Sequence, residues 1–262
     1  MNRRAAASIT AAALSVLALA GCAQDAPAAT VSSASATPTV SGSITVDAAA
    51  SLNTVFPALA AIFQREHPGT TITFDFGGSS TLAAAIVAGA PVDVFASASA
   101  KTMQTVQDAA LTAAGPVVVA RNELEIAVPP GNPGKVTGLK DFADAAKTIV
   151  VCDPAVPCGA AAKQVFGIAR ITAKPDSEEP DVTSVLTKVE GNQADAGLVY
   201  VTDVRAAGAK VGGIPFPEAD RAVTAYPIAA MKGSRNAALA EAWVAFVQAH
   251  ELDLQAAGFL AP

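Results

Sequence analysis

The chain has 262 residues, of which 52% are hydrophobic and 15% are charged, and its formal net charge at pH 7 is −6. This apolar fraction over this length is enough to bury a core in one large or two medium domains, which excludes a wholly disordered chain. Because affinity for nucleic acids comes chiefly from Lys and Arg side chains that neutralise phosphates, an acidic chain without a basic run excludes a nucleic-acid partner.

The first 22 residues have the pattern of an export signal. Basic Arg3 and Arg4 precede an apolar stretch over residues 5–20, which is short for a transmembrane helix. The ending Leu19-Ala20-Gly21-Cys22 resembles a bacterial lipoprotein signal, in which Cys22 becomes the lipidated first residue of the mature chain. A plain signal followed by a coincidental cysteine is the alternative. We predict a signal peptide over residues 1–21 and a lipid anchor on Cys22.

The segment that follows is predicted to be a flexible linker. Residues 23–42 are rich in Ala, Ser, Thr and Pro, contain no Lys, Arg or aromatic residue, and show no hydrophobic period. Such a segment cannot bury enough apolar surface to offset the entropy lost on ordering. We therefore assign residues 22–42 to the lipidated cysteine and its linker, and we expect the folded body to begin near Ser43.

From residue 44 onward, short β-rich runs alternate with amphipathic stretches. Period-two or short apolar runs predict strands at residues 44–46, 72–76, 92–95, 148–152 and 196–201. Apolar residues at helical spacing predict helices over residues 52–63, 82–89, 162–169, 182–189 and 239–247. Further apolar runs lie at residues 117–120, 124–129 and 223–231. This alternation predicts an α/β fold with largely parallel sheets and a ligand site at the carboxyl ends of strands.

The order of these elements allows two architectures. A chain that builds one sheet, crosses to build a second and then returns has two lobes, with the ligand in the cleft between them. A single doubly wound domain fits the same periodicity.

Four turns place a small or hydroxyl residue where a strand is expected to lead into a helix, at residues 48–52, 77–81, 156–159 and 180–183. At the start of a helix the first N–H groups have no partner within the helix, and the macrodipole adds partial positive charge, so an anion is favoured there. The alternative for each turn alone is structural, because Ser is a favoured helix N-cap and Gly a common turn residue.

Several short sequence motifs around these turns resemble those of the periplasmic molybdate-binding proteins of molybdate ABC importers. The resemblance covers residues 43–262 and is carried, in order, by Ala48-Ala49-Ala50-Ser51-Leu52, Ser79-Ser80-Thr81-Leu82, Ala88-Gly89-Ala90-Pro91-Val92-Asp93-Val94-Phe95, Asp153-Pro154, Val156-Pro157-Cys158-Gly159 and Gly197-Leu198-Val199-Tyr200. It implies a two-lobed, type II periplasmic-binding-protein fold, in which each lobe is a mostly parallel sheet flanked by helices. We assign residues 43–121 and 225–262 to lobe 1 and residues 122–224 to lobe 2.

Carried over position by position, the resemblance also implies an oxyanion site. Ser51 and Ser79 contribute hydroxyl and main-chain N–H groups, Cys158 and Val182 contribute main-chain N–H groups, and Tyr200 contributes its phenol. That family commonly has a small residue such as Ala where this chain has Cys158, so the role of this position depends on its main chain.

The function implied is that of an extracytoplasmic solute-binding lipoprotein that captures molybdate or tungstate and delivers it to the membrane permease of an ABC importer. Molybdenum then enters only as the oxyanion; we expect no cofactor, no directly bound metal ion, no enzymatic activity and a monomer held at the outer face of the cell membrane. The same fold binding sulfate or phosphate is the alternative. A serine hydrolase has less support, because neither Ser51 nor Ser79 lies in Gly-x-Ser-x-Gly or has a local His or Lys as base.

Beyond Cys22, the chain has two cysteines, Cys152 and Cys158. Exported proteins meet an oxidising environment, so we expect a disulfide between them, with two free buried thiols as the alternative. The only histidines, His67 and His250, lie beside Pro68-Gly69 and near the chain end, which argues against a zinc site or a catalytic cysteine.

Overall fold

The computed structural model describes residues 40–262. The predicted signal peptide, the predicted lipid anchor at Cys22 and nearly all of the predicted linker lie outside the described residues. In the described part of the chain, no helix combines the length and the apolar character needed to cross a membrane.

Strands and helices alternate through most of this body. The strands are β1 (Gly42–Ala49), β2 (Thr70–Gly77), β3 (Val94–Ala96), β4 (Val117–Asn122), β5 (Leu124–Val128), β6 (Ile149–Cys152), β7 (Ser177–Glu179), β8 (Ala196–Tyr200), β9 (Gly212–Ile214) and β10 (Thr224–Ala230). The α-helices are α1 (Val55–Glu66), α2 (Ser79–Val87), α3 (Ala100–Asp108), α4 (Pro157–Ala169), α5 (Val182–Glu190), α6 (Val201–Ala207), α7 (Ala237–Ala249) and α8 (Glu251–Ala256). Short 3₁₀ turns occupy Ala50–Leu52, Leu139–Ala143, Gly208–Lys210 and Ala219–Ala222.

The strands form two separate five-stranded sheets with the same internal plan. The first has the order β2-β1-β3-β10-β4, and the second has the order β7-β6-β8-β5-β9. In each sheet three neighbouring strands are parallel, while β10 in the first and β5 in the second pair antiparallel with both of their neighbours. Two mixed sheets flanked by helices confirm the predicted two-lobed α/β fold and exclude the single doubly wound alternative.

The chain passes between the sheets at two short crossings. It leaves the first sheet at Asn122 and enters the second at Leu124, and it returns from the 3₁₀ turn Ala219–Ala222 to β10. These crossings lie beside the predicted lobe limits at residues 121–122 and 224–225. We propose these limits as the boundaries between the lobes.

Each sheet is covered by its own apolar core. In the first lobe, α1 and α7 bring Phe56, Phe63 and Trp243 together as buried aromatic rings, with centroids of Phe63 and Trp243 5.6 Å apart. A separate cluster that includes Phe95 and Met103 forms with α2 and α3. The second lobe has a continuous core built mainly on Val and Ala side chains. Because each lobe buries its own core, the surface between them is available for a site.

The structure departs from the predicted elements in several places. The first helix was expected from residue 52, but α1 begins at Val55 after the 3₁₀ turn Ala50–Leu52. Helices α6 and α8 and strands β7 and β9 were not predicted, because these strands of three residues and helices of six or seven are too short to show a hydrophobic period. The nine-residue helix α3 was also not predicted, because only Met103 and Val106 form its buried face.

Candidate functional site

A cavity with an empty volume of about 220 Å³ lies between the two lobes. Part of this volume is open to solvent, so the enclosed space suits only a ligand of a few heavy atoms. Its walls are formed by Ala49, Ala50, Ser51, Gly77, Gly78, Ser79, Ala98, Val156, Pro157, Cys158, Asp181, Val182 and Tyr200. All five residues that the sequence nominated, Ser51, Ser79, Cys158, Val182 and Tyr200, therefore meet at one cavity.

Three α-helices from both lobes begin at this cavity. Helix α2 begins at Ser79, α4 has Cys158 as its second residue, and α5 begins at Val182. The first N–H groups of a helix have no partner within it, and the helix dipole makes this end positive. Among residues 40–262, no side chain caps α2 or α4, whereas Asp181 caps α5 by accepting a hydrogen bond from the Ser184 N–H. The cavity is therefore surrounded by main-chain donors and positive helix ends.

Two glycines allow the backbone to close around this space. A Cβ atom on Gly78 would collide with the Pro180 carbonyl oxygen of the other lobe, and one on Gly159 would collide with the Asp153 carbonyl oxygen. The predicted disulfide between Cys152 and Cys158 is present and joins the end of β6 to the first turn of α4. The loop that presents the Cys158 N–H is thus held by a covalent link and by a close turn.

The two serine hydroxyls at the cavity are both buried and both hydrogen-bonded on the protein side. The Ser79 Oγ accepts a hydrogen bond from the Ala98 N–H at 3.0 Å. The Ser51 Oγ lies 2.8 Å from the hydroxyl of Tyr226, a residue that the sequence analysis did not single out. Because an N–H can only donate, Ser79 keeps its own hydroxyl hydrogen for another partner.

Tyr200 brings a buried phenol to the cavity. Its hydroxyl is buried and has no hydrogen-bond partner among the described residues. Burial raises the pKa of this phenol above its ordinary value, so it remains a donor at neutral pH. The Thr224 and Tyr226 hydroxyls lie near this phenol without forming a hydrogen bond to it, so Tyr200 is available to donate to an acceptor in the cavity that it lines.

A buried carboxyl group supports the backbone of Tyr200. The Asp203 Oδ2 accepts a hydrogen bond from the Tyr200 N–H at 2.8 Å. Burial, with a smaller contribution from the charge of Asp181, raises the pKa of Asp203 to about 7, although the hydrogen bond from the Tyr200 N–H lowers it. Asp203 itself is not part of the cavity wall, so its contact with the site is indirect.

Few formal charges lie at the cavity. Among the described residues that form its wall, Asp181 is the only one whose side chain is normally charged at neutral pH, and none is Lys, Arg or His. Asp47 and Asp153, which the sequence left open as acceptors near the ligand, do not line it; burial raises the pKa of Asp47 to about 6, and Asp153 caps its own turn at the Ala155 N–H. Over residues 40–262, no group of His, Cys, Asp and Glu side chains is arranged to hold a metal ion. The arrangement can hold a small anion through neutral donors.

Contacts between the lobes flank the cavity. The Ser80 hydroxyl of lobe 1 donates a hydrogen bond to the Ala155 carbonyl of lobe 2 at 2.8 Å. The Asn53 side-chain amide donates to the Thr183 hydroxyl at 3.2 Å. Neither contact was predicted, because each joins residues from different lobes. The two lobes therefore touch directly at the edges of the space that the five nominated residues surround.

The sequence analysis also missed the polar residues behind Ser51. Tyr226, Asn122 and Thr202 are all buried and are linked to it by hydrogen bonds. One signal was available: the chain has only two tyrosines, and Tyr226 lies inside the predicted apolar run over residues 223–231. A tyrosine in a buried strand needs a partner for its hydroxyl.

Comparisons with known proteins agree with this geometry. The family model described as bacterial extracellular solute-binding protein matches residues 44–258. The chain is 42% identical over 238 residues, 90% of each chain, to the molybdate-binding protein ModA of Mycobacterium tuberculosis (strain ATCC 25618 / H37Rv). It is 36% identical over 212 residues to the molybdate-binding protein ModA of Escherichia coli (strain K12), covering 75% of this chain and 80% of that protein.

Solved structures show the same fold at lower sequence identity. The periplasmic molybdate-binding protein of Azotobacter vinelandii superposes with a TM-score of 0.71 at 22% identity, covering 84% of this chain and 99% of that chain. The sulfate-binding protein SubI of M. tuberculosis H37Rv superposes with a TM-score of 0.69 at 16% identity, covering 83% of this chain and 86% of that chain. At these identities the likeness concerns the fold and leaves the ligand to be argued from the site.

Proposed function

The chain belongs to the bacterial extracellular solute-binding proteins, and from that premise we propose that it captures molybdate, and tungstate equally, outside the cytoplasm. The observation that carries the proposal is the convergence of five neutral donor residues from both lobes on one small cavity without a Lys or Arg in its wall. The molybdate-binding relatives at 42% and 36% identity support this choice of ligand. The family consists of transport proteins, and this chain is a solute-binding protein rather than an enzyme.

In the proposed complex, the protein replaces the hydration shell of the oxyanion with hydrogen-bond donors. Ser51 and Ser79 donate through hydroxyl and main-chain groups, Cys158 and Val182 donate through their main chains, and Tyr200 donates its phenol. Each hydrogen bond to a charged acceptor contributes roughly 1.5–3 kcal/mol, so a set of such donors holds a dianion without a formal countercharge. The ligand carries molybdenum only as the oxyanion, and no cofactor is needed.

The main competing ligands are other oxyanions. Sulfate has the same shape and charge but is smaller, so cavity size is the physical basis for discriminating against it. Hydrogen phosphate carries a proton that needs an acceptor, and a site built mainly of donors is poorly suited to it. Molybdate and tungstate have nearly the same size and charge, and we expect the site to bind both.

Isothermal titration of the folded body, residues 43–262, with molybdate, tungstate, sulfate and phosphate tests the ligand. We expect micromolar or tighter binding of molybdate and tungstate, and much weaker binding of sulfate and phosphate, because only the first two match both the cavity and its donors. Absence of heat with all four oxyanions would contradict the proposal. Tight binding of sulfate alone would assign the site to the alternative ligand.

We further propose that the protein is a monomer, held at the outer face of the cell membrane by a lipid on Cys22, and that it delivers its ligand to the permease of an ABC importer. Replacing Cys22 with Ala removes the thiol that the lipid would modify. The variant is therefore expected in the soluble fraction, whereas the unchanged protein should sediment with membranes. Fractionation followed by immunoblotting measures this difference, and a variant that remains with the membranes would contradict the lipid anchor.

A further inference from the structure

A chain of buried hydrogen bonds runs from the crossing between the lobes to the cavity. Asn122 ends β4 at that crossing, Thr202 lies in the first turn of α6, and Tyr226 lies in β10. The Asn122 Nδ2 is 2.8 Å from the Thr202 Oγ1 and 3.5 Å from the Tyr226 hydroxyl, which in turn is 2.8 Å from the Ser51 Oγ. All four residues are buried. We call Asn122, Tyr226 and Ser51 the donor relay.

The direction of each hydrogen bond in the donor relay follows from its first member. The Asn122 Oδ1 accepts a hydrogen bond from the Glu123 N–H at 3.0 Å, which places the amide nitrogen on the opposite side, towards Thr202 and Tyr226. An amide NH₂ group has two hydrogens and no acceptor, so it donates to both hydroxyls. A flipped amide would face the Glu123 N–H with its own donors.

The same reasoning passes from Tyr226 to Ser51. Since the Tyr226 oxygen accepts from Asn122, its single hydrogen is available to the Ser51 Oγ, which lies 2.8 Å away; the Tyr200 hydroxyl is the other group near it. Burial raises the pKa of Tyr226 above its ordinary value, so the phenol keeps that hydrogen. Ser51 then accepts from Tyr226 and has its own hydroxyl hydrogen left for the cavity that it lines.

This arrangement matches the second serine at the site. The Ser79 oxygen accepts from the Ala98 N–H, which can only donate, so the Ser79 hydroxyl hydrogen is also left for the cavity. The Ser79 and Ser51 hydroxyls thus each accept one hydrogen bond from the protein, Ser79 from a main-chain N–H and Ser51 from Tyr226, and each keeps its own hydrogen for the cavity.

We propose that Tyr226 and Asn122 are positioning residues that hold the Ser51 hydroxyl as a donor and thereby favour oxyanions that carry no proton over hydrogen phosphate. This inference rests on the proposed function. Neither residue lines the cavity; the hydrogen bonds of both lead to Ser51, and Tyr226 also packs against the Tyr200 ring. Without Tyr226, the Ser51 oxygen is free to accept the proton of hydrogen phosphate, and its own hydrogen is no longer directed at the ligand.

A double-mutant cycle between Tyr226→Phe and Ser51→Ala tests the relay. Tyr226→Phe keeps the ring and removes only the hydroxyl, and we expect it to weaken molybdate binding roughly two- to tenfold, the range for one neutral hydrogen bond. In the Ser51→Ala background the same change is expected to have no further effect. Titration calorimetry of the four proteins measures the affinities, and thermal unfolding confirms that each is folded.

A second measurement separates positioning from a general loss of packing. The ratio of molybdate affinity to phosphate affinity should fall in Tyr226→Phe, and Asn122→Leu, one step further from the ligand, should act in the same direction and also lose its effect in the Ser51→Ala background. Equal weakening by Tyr226→Phe in both backgrounds, or an unchanged affinity ratio, would overturn the relay while leaving molybdate binding intact. Wild-type protein that binds no oxyanion would instead overturn the proposed function and the relay with it.

Discussion

Replacing Ser79 with Ala is expected to weaken molybdate binding by about 1.5–3 kcal/mol, or roughly 10- to 150-fold. The Ser79 oxygen already accepts the Ala98 N–H, so its hydrogen is directed at the cavity and its removal deletes one hydrogen bond to a charged ligand. The Ala98 N–H loses its partner at the same time, which should lower the free energy of unfolding by about 1–3 kcal/mol. Titration calorimetry and thermal unfolding measure the two effects separately.

The same turn of this helix provides a matched control. Thr81 is exposed in the first turn of α2 and does not line the cavity, so Thr81→Ala should leave the affinity unchanged. If Ser79→Ala binds molybdate as tightly as the unchanged protein, the oxyanion lies elsewhere and the proposed site is wrong.

Replacing Gly78 with Ala is expected to weaken binding by keeping the lobes apart. The backbone of Gly78 is extended, with φ of −61° and ψ of 121°, so Ala fits the local conformation. The added Cβ collides instead with the Pro180 carbonyl oxygen of the other lobe, and a main-chain oxygen has little freedom to move. Overpacking of this kind costs about 1–3 kcal/mol, which corresponds to a roughly 5- to 150-fold loss of affinity.

Two measurements together identify the cause. Calorimetry gives the affinity, and small-angle scattering at saturating molybdate should show a larger radius of gyration for Gly78→Ala than for the unchanged protein. Gly167→Ala is the control, because Gly167 lies in α4 with open space where its Cβ would be. Full affinity and an unchanged radius in Gly78→Ala would show that the close approach of Gly78 to Pro180 is not needed for binding.

Much of the fold was predictable because hydrophobic period and turn residues are local properties. The strand over residues 72–76 alternates apolar and polar side chains, and β2 spans Thr70–Gly77. The starts of α2, α4 and α5 fall within the turns that the sequence nominated. The same local signals missed α3, whose exposed face leaves few apolar positions, and the edge strands β7 and β9, which have three residues each.

The sequence by itself determined that the chain is α/β, which turns carry helix N-termini, and which five residues are candidates for an oxyanion. Each of these conclusions follows from residues a few positions apart in the sequence, or from short sequence motifs that resemble one family. Only the tertiary structure decided that the five residues share one cavity, and that Tyr226 and Asn122 are linked to Ser51 by hydrogen bonds. Ser51 and Tyr226 are 175 positions apart, and Gly78 meets Pro180 across the lobes. A hydrophobic period specifies which face of a strand is buried, but the partner that a buried hydroxyl finds there depends on how distant strands are paired, and no local pattern encodes that pairing.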